Sequence, residues 1–426
     1  MKERIAVIDG VRTPYCKAPG ILKDCEADEL GAFVVRELLA RMPVKPEEVD
    51  ELIFGNVIQP PHLANIARII AVKGGLPVST PAYTVNRNCA SGMESVVTAY
   101  NKMQTGEAKI IIAGGAESMS NTPILFPKKM RDFLLGISKA KTFFGKLSKL
   151  FTLRPSFFKP TLPAIFDPLC DLNMGQTAEN VAKDFHISRK EQDEFSLNSQ
   201  KRAAKASEEG KFKEEVIPFP IGPKYEKVQI EDDGIRKDST LEGLGKLKPA
   251  FEPITGTVTA GNSSQITDGA VSLLLMTESE AKKRGLKPLG YVREYATAAL
   301  DPSRMGLGPA YAISKLLDKT GLNLKDIDLI EINEAFASQV IGVVRALASD
   351  EFAKKNLGRD RAVGQIDLEK LNVNGGAIAL GHPIGASGAR LILSLLKELK
   401  RQGKKRGIAS LCIGGGQGEA ALLEVE

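Results

Sequence analysis

Apolar and polar positions along this 426-residue chain fall into two rhythms. Short, nearly uninterrupted apolar runs read as buried strands at residues 4–11, 51–57, 109–113, 271–276, 289–296, 327–332 and 407–413. Between them, apolar residues recur at helical spacing over 30–39, over 310–319, over 389–400, and at Met93, Val96, Val97, Tyr100 and Met103. Short buried strands interleaved with helices predict an α/β layer structure with a mainly parallel sheet. The alternation breaks from Ser118 to about Ala250, where only 177–186 and 189–205 read clearly as helices.

An internal repeat organises this pattern. Cys89-Ala90-Ser91-Gly92 opens a helix that ends near Gly106, followed by the strand at 109–113 and Gly114-Gly115. Gly385-Ala386-Ser387-Gly388 opens another that ends near Gly403, followed by the strand at 407–413 and three glycines. The two Ala-Ser-Gly runs lie 296 positions apart (386 minus 90). Residues 46–53 parallel 324–330, and Asp268-Gly269-Ala270 parallels Gly418-Glu419-Ala420. The expected organisation is therefore two similar α/β halves, the first formed by 1–117 plus 251–277, the second by 278–426, with 118–250 inserted between.

Composition narrows the class only a little. Hydrophobic residues at 43% and charged residues at 26% describe an ordinary globular protein, and a net charge of +6 is too mild to argue for nucleic acid. Five cysteines without C-x-x-C spacing fit free thiols in a reduced compartment. Met1-Lys2-Glu3-Arg4 runs directly into an apolar strand without a signal-peptide core, no apolar run is long enough to span a bilayer, and cytoplasmic is the expected location. One stretch departs from this plain composition. Residues 126–160 hold nine Lys or Arg against the single acid Asp132, with Met130, Phe133, Leu134, Ile137, Phe144, Leu147 and Leu150 near helical spacing. Such a helix either lies on a membrane or partner, or packs on its own domain with solvated lysines.

Candidate chemistry collects near the repeated turns. Cys89 sits at a helix opening, where the dipole and unpaired N–H groups favour thiolate; it equally suits a small buried residue in a tight turn. His382, one of only three histidines, lies in the glycine-rich loop 376–385 and reads as a base or a turn residue. Cys412 ends a buried strand before three glycines and could be core. Asn333-Glu334-Ala335-Phe336 follows a buried strand and suits a polar site or a helix cap. His62 and His186 read as structural.

Together these stretches resemble one family. Asn86 to Gly92 (Asn-x-x-Cys-Ala-Ser-Gly), Gly-Gly-Ala-Glu-Ser-Met-Ser at 114–120, Asn-Glu-Ala-Phe at 333–336, Gly-His-Pro-Ile-Gly-Ala-Ser-Gly at 381–388 and Cys-Ile-Gly-Gly-Gly-Gln-Gly at 412–418 look like the motif blocks of the thiolases, the acetyl-CoA C-acyltransferases. The resemblance covers nearly the whole chain in order. It implies the thiolase-like α/β fold, two layered halves with mixed sheets and an inserted loop domain. It also implies Cys89 as nucleophile and His382 as its activator, with Asn333 holding a water at the enolate oxygen. Cys412 would be the general acid and base, and the N–H groups of Cys89 and Gly414 an oxyanion hole. By the same resemblance Ser264 lines the pantetheine tunnel, Met174 walls the acyl pocket, and Ala335 and Phe336 contact substrate. No metal and no permanently bound cofactor are implied; coenzyme A is a substrate.

Two departures bear on substrate and partners. Asn173 stands where short-chain biosynthetic thiolases commonly have histidine. Asn65-Ile66-Ala67-Arg68 and the basic segment look more like the β-subunits of fatty-acid oxidation (trifunctional) complexes. The expectation is a degradative 3-ketoacyl-CoA thiolase for medium or long chains, a homodimer or dimer of dimers, with a hydratase-dehydrogenase α-subunit and a peripheral membrane contact as partners. The alternatives are a biosynthetic acetoacetyl-CoA thiolase, which shares every catalytic residue, and a non-catalytic scaffold subunit. A decarboxylating ketoacyl synthase fits less well, because it uses one cysteine with two histidines or a histidine and an asparagine.

Overall fold

The computed structural model describes residues 3–160, 166–222 and 225–426. Met1 and Lys2, on which part of the N-terminal expectation rests, and two short pieces of the inserted segment lie outside the described residues.

The first half runs β1 (Ile5–Arg12), α1 (Ala27–Arg41), β2 (Glu51–Gly55), α2 (Ile66–Lys73), β3 (Ala82–Val85), α3 (Ser91–Gln104) and β4 (Ile110–Glu117). The inserted segment carries α4 (Lys128–Lys139), α5 (Phe143–Leu150), α6 (Met174–Asp184) and α7 (Arg189–Glu208), after which β5 (Thr267–Thr277) returns to the first half. The second half follows as β6 (Gly290–Ala299), α8 (Gly308–Thr320), β7 (Leu329–Ile332), α9 (Ala337–Leu347), α10 (Ile384–Arg401), β8 (Arg406–Ile413) and β9 (Gln417–Glu424).

These strands form one sheet in the order β7-β8-β9-β6-β1-β5-β4-β2-β3, the halves meeting where β1 pairs β6. Its pairings correct the expectation of a mainly parallel sheet: five are antiparallel and three parallel. Strands apolar on both faces announce burial, not direction. The three glycines 414–416 join β8 to β9 as a hairpin and impose the antiparallel pairing, with Gly415 and Gly416 at φ +89° and +75°. Gly114 and Gly115 do not close β4 as expected. The strand continues through them to Glu117, paired with β5 throughout, and the missing side chains make room for backbone from β5 and from Gly385.

The repeat reappears in three dimensions with its small devices intact. Asp50 accepts from the N–H groups of Lys109 (2.7 Å) and Ile110 (2.9 Å). Asp328 does the same for Lys405 (3.0 Å) and Arg406 (2.9 Å). Both β1 and β6 slip register by a bulge, between Val7 and Asp9 and between Val292 and Glu294. The register aligns Ala270, opposite Ala116, with Gly418, opposite Cys412. The sequence parallel of Asp268-Gly269-Ala270 with Gly418-Glu419-Ala420 is therefore two residues out. A slip of two keeps every side chain on its own face, so hydrophobic alternation cannot detect it.

Three cores divide the layers. One lies under α1 and α2, one under α8 and α9, and the largest surrounds α3 and α10 between the two halves of the sheet. The charges that α10 carries into this core are paired: Arg390 with Glu331 at 2.8 Å and Lys397 with Asp9 at 2.9 Å. The inserted segment behaves differently. The expected single basic helix is two, broken at Ala140, with Thr142 capping α5 through Gly145 N–H. Met130 is the one residue of α4 and α5 that is buried, while Phe143 and Phe144 stay 75% and 79% exposed.

Candidate active site

Two glycines explain why the halves meet where they do. A Cβ on Gly92 would stand 2.8 Å from the Gly385 carbonyl oxygen, and one on Gly388 only 2.4 Å from the Met93 nitrogen. The openings of α3 and α10 therefore touch backbone to backbone, and the loops feeding them, with Cys89 and His382, are drawn to one place. The Cys89 turn is held by Arg87 N–H donating to Ser91 Oγ (2.9 Å), while Ser91 Oγ donates to the Asn88 carbonyl (2.7 Å).

Cys89 keeps partial access to solvent. Burial nonetheless pushes its thiol up, against the pull of the N–H groups of Gly414 and of Cys89 itself. This corrects the expected thiolate: desolvation of the charged form outweighs the helix-terminal donors, so the proton must be removed by a base.

His382, on the loop that opens α10, has a ring nitrogen free to accept a proton. Its Nδ1 lies 2.6 Å from Ser387 Oγ, which is 3.0 Å from the Pro383 carbonyl oxygen. The hydroxyl has one proton, and the carbonyl can only accept it, so Nδ1 carries the imidazole hydrogen and Nε2 is left a bare acceptor. Nε2 is buried with no partner. Burial, then the charge of Arg390, lowers the His382 pKa to about 4, keeping the ring neutral. Asn333 is fully buried with both side-chain polar atoms unpartnered. Buried amides are almost always satisfied, and an unpaired Asn333 leaves a donor and an acceptor open to a bound molecule or water.

Cys412 ends β8 fully buried. Burial, then proximity to Cys89, raises its thiol far above the ordinary range, so it holds its proton at neutral pH. Around it, Ala335 and Phe336 pack with Ala178, Val258 and Met305, and Met174 and Phe251 close the cluster. Ser264 N–H donates to the Ala335 carbonyl at 2.9 Å, tying the small polar run to the same wall. Met174 begins α6 with its sulfur 3.3 Å from where a Gly414 side chain would start. Asn173 is spent on capping α6: its Oδ1 accepts from Gln176 N–H (2.9 Å), and Gln176 Oε1 accepts from Asn173 N–H (3.0 Å). All nine sequence-derived positions thus gather around the two helix openings and the end of β8.

Sequence reasoning missed the carboxylates that hold this junction. Glu117, buried, accepts from Asn56 Nδ2 (2.9 Å) and from the N–H groups of Val57 (3.0 Å), Ile58 (3.0 Å) and Gly385 (2.9 Å), joining three loops. Burial pushes its carboxyl up to about 7. Glu334 likewise accepts from Ser199 Oγ (2.6 Å), Asn372 Nδ2 (2.9 Å) and Ile378 N–H (3.2 Å). Glu117 is the last residue of β4 and Glu334 stands two past β7, and that place at the end of a buried strand is the one signal that could have found them. Among the described residues no group of three His, Cys, Asp or Glu side chains could hold a metal ion.

Known proteins resemble this chain along its whole length. Residues 5–279 match the family model for the thiolase N-terminal domain, and 286–425 that for the thiolase C-terminal domain. The chain is 44% identical over 425 residues to a 3-ketoacyl-CoA thiolase of Photorhabdus laumondii, covering 100% of this chain and 97% of that protein. A 3-ketoacyl-CoA thiolase of Yersinia enterocolitica is 43% identical with the same coverage. Among solved structures, a Bacillus anthracis acetyl-CoA acetyltransferase superposes with TM-score 0.87 at 38% identity, covering 99% of each chain. Human mitochondrial 3-ketoacyl-CoA thiolase in complex with CoA does so with TM-score 0.84 at 36% identity, covering 100% of this chain and 98% of that one.

Proposed function

The chain belongs to the thiolase family, and from that premise we propose that it is an acyltransferase cleaving 3-ketoacyl-CoA with coenzyme A in fatty-acid β-oxidation. His382 Nε2 takes the Cys89 proton, and the sulfur attacks the ketone carbon of the substrate. The N–H groups of Cys89 and Gly414, which already face the sulfur, stabilise the tetrahedral oxyanion. Breaking the carbon–carbon bond leaves the shortened acyl chain on Cys89 and acetyl-CoA as its enolate. Protonated His382 and a water on Asn333 hold the enolate oxygen, and the Cys412 thiol protonates its carbon. Cys412 thiolate then takes the proton of a second CoA thiol, whose sulfur attacks the acyl group and releases Cys89, which regains its proton from His382.

The observation that carries this reading is the pair of buried unsatisfied groups, His382 Nε2 and Asn333, beside a protonated Cys412. A non-catalytic scaffold has no use for them. The degradative direction rests on the names of the relatives matched over their whole length and on Asn173 being a helix cap where histidine is common in biosynthetic enzymes. The Bacillus anthracis acetyl-CoA acetyltransferase fold keeps the biosynthetic alternative in play. Steady-state thiolysis of 3-ketoacyl-CoA substrates from four to sixteen carbons decides. Rates that rise with length and vanish in Cys89→Ala support the degradative reading, whereas activity confined to acetoacetyl-CoA overturns it.

The partners follow less directly. A homodimer or dimer of dimers is the expected assembly, and a monomer in light scattering would end that reading. The exposed Phe143, Phe144, Leu147 and Leu150, set among lysines, favour a peripheral contact with an anionic membrane. Deleting residues 128–150 should abolish sedimentation with anionic vesicles or pull-down of a hydratase-dehydrogenase subunit, while no change in either would return the segment to packing on its own domain.

A further inference from the structure

The hairpin that carries Gly414 is gripped at one peptide bond from both sides. Asn88 Nδ2 donates to the Gly414 carbonyl oxygen at 2.8 Å, and Gly415 N–H donates to Asp167 Oδ2 at 2.8 Å. That carbonyl and that N–H are the two ends of a single planar unit, so two contacts fix its plane. The grips come from opposite directions: Asn88 from the turn before α3, Asp167 from the inserted segment. Each grip is itself held. Asn88 has φ +45°, a left-handed conformation asparagine tolerates, and its N–H donates to Asn86 Oδ1 at 2.9 Å. Asp167 is buried, and its Oδ1 accepts from Leu169 N–H at 2.9 Å. On the far side, Gly416 offers its carbonyl to Leu300 N–H at 2.7 Å.

We propose that Asn88 and Asp167 are positioning residues that clamp the Gly414–Gly415 peptide and thereby aim the Gly414 N–H at the Cys89 sulfur before substrate arrives. The inference rests on the reading of Gly414 as an oxyanion donor. Ile413 holds the N–H side of Gly414 in β8, whereas the glycine run that follows would leave Gly414's own dihedrals free, and a donor catalyses only if it need not reorganise as charge develops. The clamp also links the acyl-pocket segment to the catalytic hairpin, since the residue that grips Gly415 lies seven positions before Met174 (174 minus 167).

The test compares two reactions at the same sulfur. Thiolysis of acetoacetyl-CoA develops an oxyanion; alkylation of Cys89 by iodoacetamide does not. Asn88→Gly keeps the left-handed turn and loses the donor, and Asp167→Ala loses the acceptor. Each should lower kcat about tenfold or more, with KM for CoA and the alkylation rate within about twofold of the parent. Asp167→Asn, which keeps an acceptor oxygen, should recover most of the loss. The double variant should be no worse than the poorer single one, because both act on one peptide. Single variants with unchanged kcat, or with alkylation falling in parallel, would overturn the clamp. Cys89→Ala in the same assay separates the failures: retained thiolysis there would sink the reading of the site itself.

Discussion

The openings of α3 and α10 are the same structure put to different use. Both are Ala-Ser-Gly turns, and the glycine of each meets the backbone of the other. At the position before the shared alanine the first half has Cys89 and the second Gly385. A side chain at 385 would meet Glu117 Oε2 at 2.9 Å and the Ala116 carbonyl oxygen at 3.0 Å, so there is no room for a second nucleophile. The ends of β4 and β8 divide labour in the opposite sense. Ala116 and Cys412 occupy equivalent places, 296 positions apart (412 minus 116), the spacing of the helix openings. On the proposed mechanism, one half supplies the nucleophile, the other its base and its proton donor. Duplication set the frame, and asymmetric side chains made the chemistry.

Making the halves alike at the strand ends breaks this division most severely. Cys412→Ala copies Ala116 into the second half and removes the donor to the departing carbanion. Turnover should fall about 10²- to 10⁴-fold, while Cys89 alkylation by iodoacetamide changes little. Thiolysis at the parent rate in this variant would show that the second half holds no proton donor there.

A finer probe is pH. The His382 pKa of about 4 means that the base is already neutral well below the ordinary imidazole range, and the raised Cys89 thiol stays protonated into alkaline solution. Thiolysis kcat/KM should therefore show no inflexion near 6.5 and should fall only as pH approaches 4. The same group links pH to stability. Its depressed folded pKa means that its contribution is full above the unfolded value of 6.5. It is lost between 6.5 and about 4, at roughly 1.4 kcal/mol per pH unit. Melting curves of parent and His382→Asn over that window should diverge on the alkaline side and converge toward pH 4. An activity step at 6.5 would place the ring in water, outside a buried site.

Much of this was legible in the residues. The Ala-Ser-Gly repeat foretold two α/β halves, and the motif blocks around Cys89, His382 and Cys412 pointed to one site. What escaped depends on distance in space. Strand direction is invisible in fully apolar runs such as β4 and β8, and a two-residue slip between β5 and β9 leaves the same alternation. Glu117 and Glu334 look like ordinary strand-end acids until their backbone partners, dozens to hundreds of positions away, are known. The Cys89 helix opening suggested a lowered thiol pKa, but burial reversed the sign. Ser387 reads as one serine in a repeat; only the 2.6 Å contact with His382 gives it the task of fixing a tautomer.

The central claim is that one half attacks and the other half serves it. The most direct test is to mix the chain with a 3-ketoacyl-CoA in the absence of free CoA, quench, digest and weigh the cysteine peptides. The account predicts the shortened acyl group on the peptide containing Cys89 and none on Cys412, with the label discharged when CoA is added. An acyl group on Cys412, or cleavage without any acylated cysteine, would contradict it.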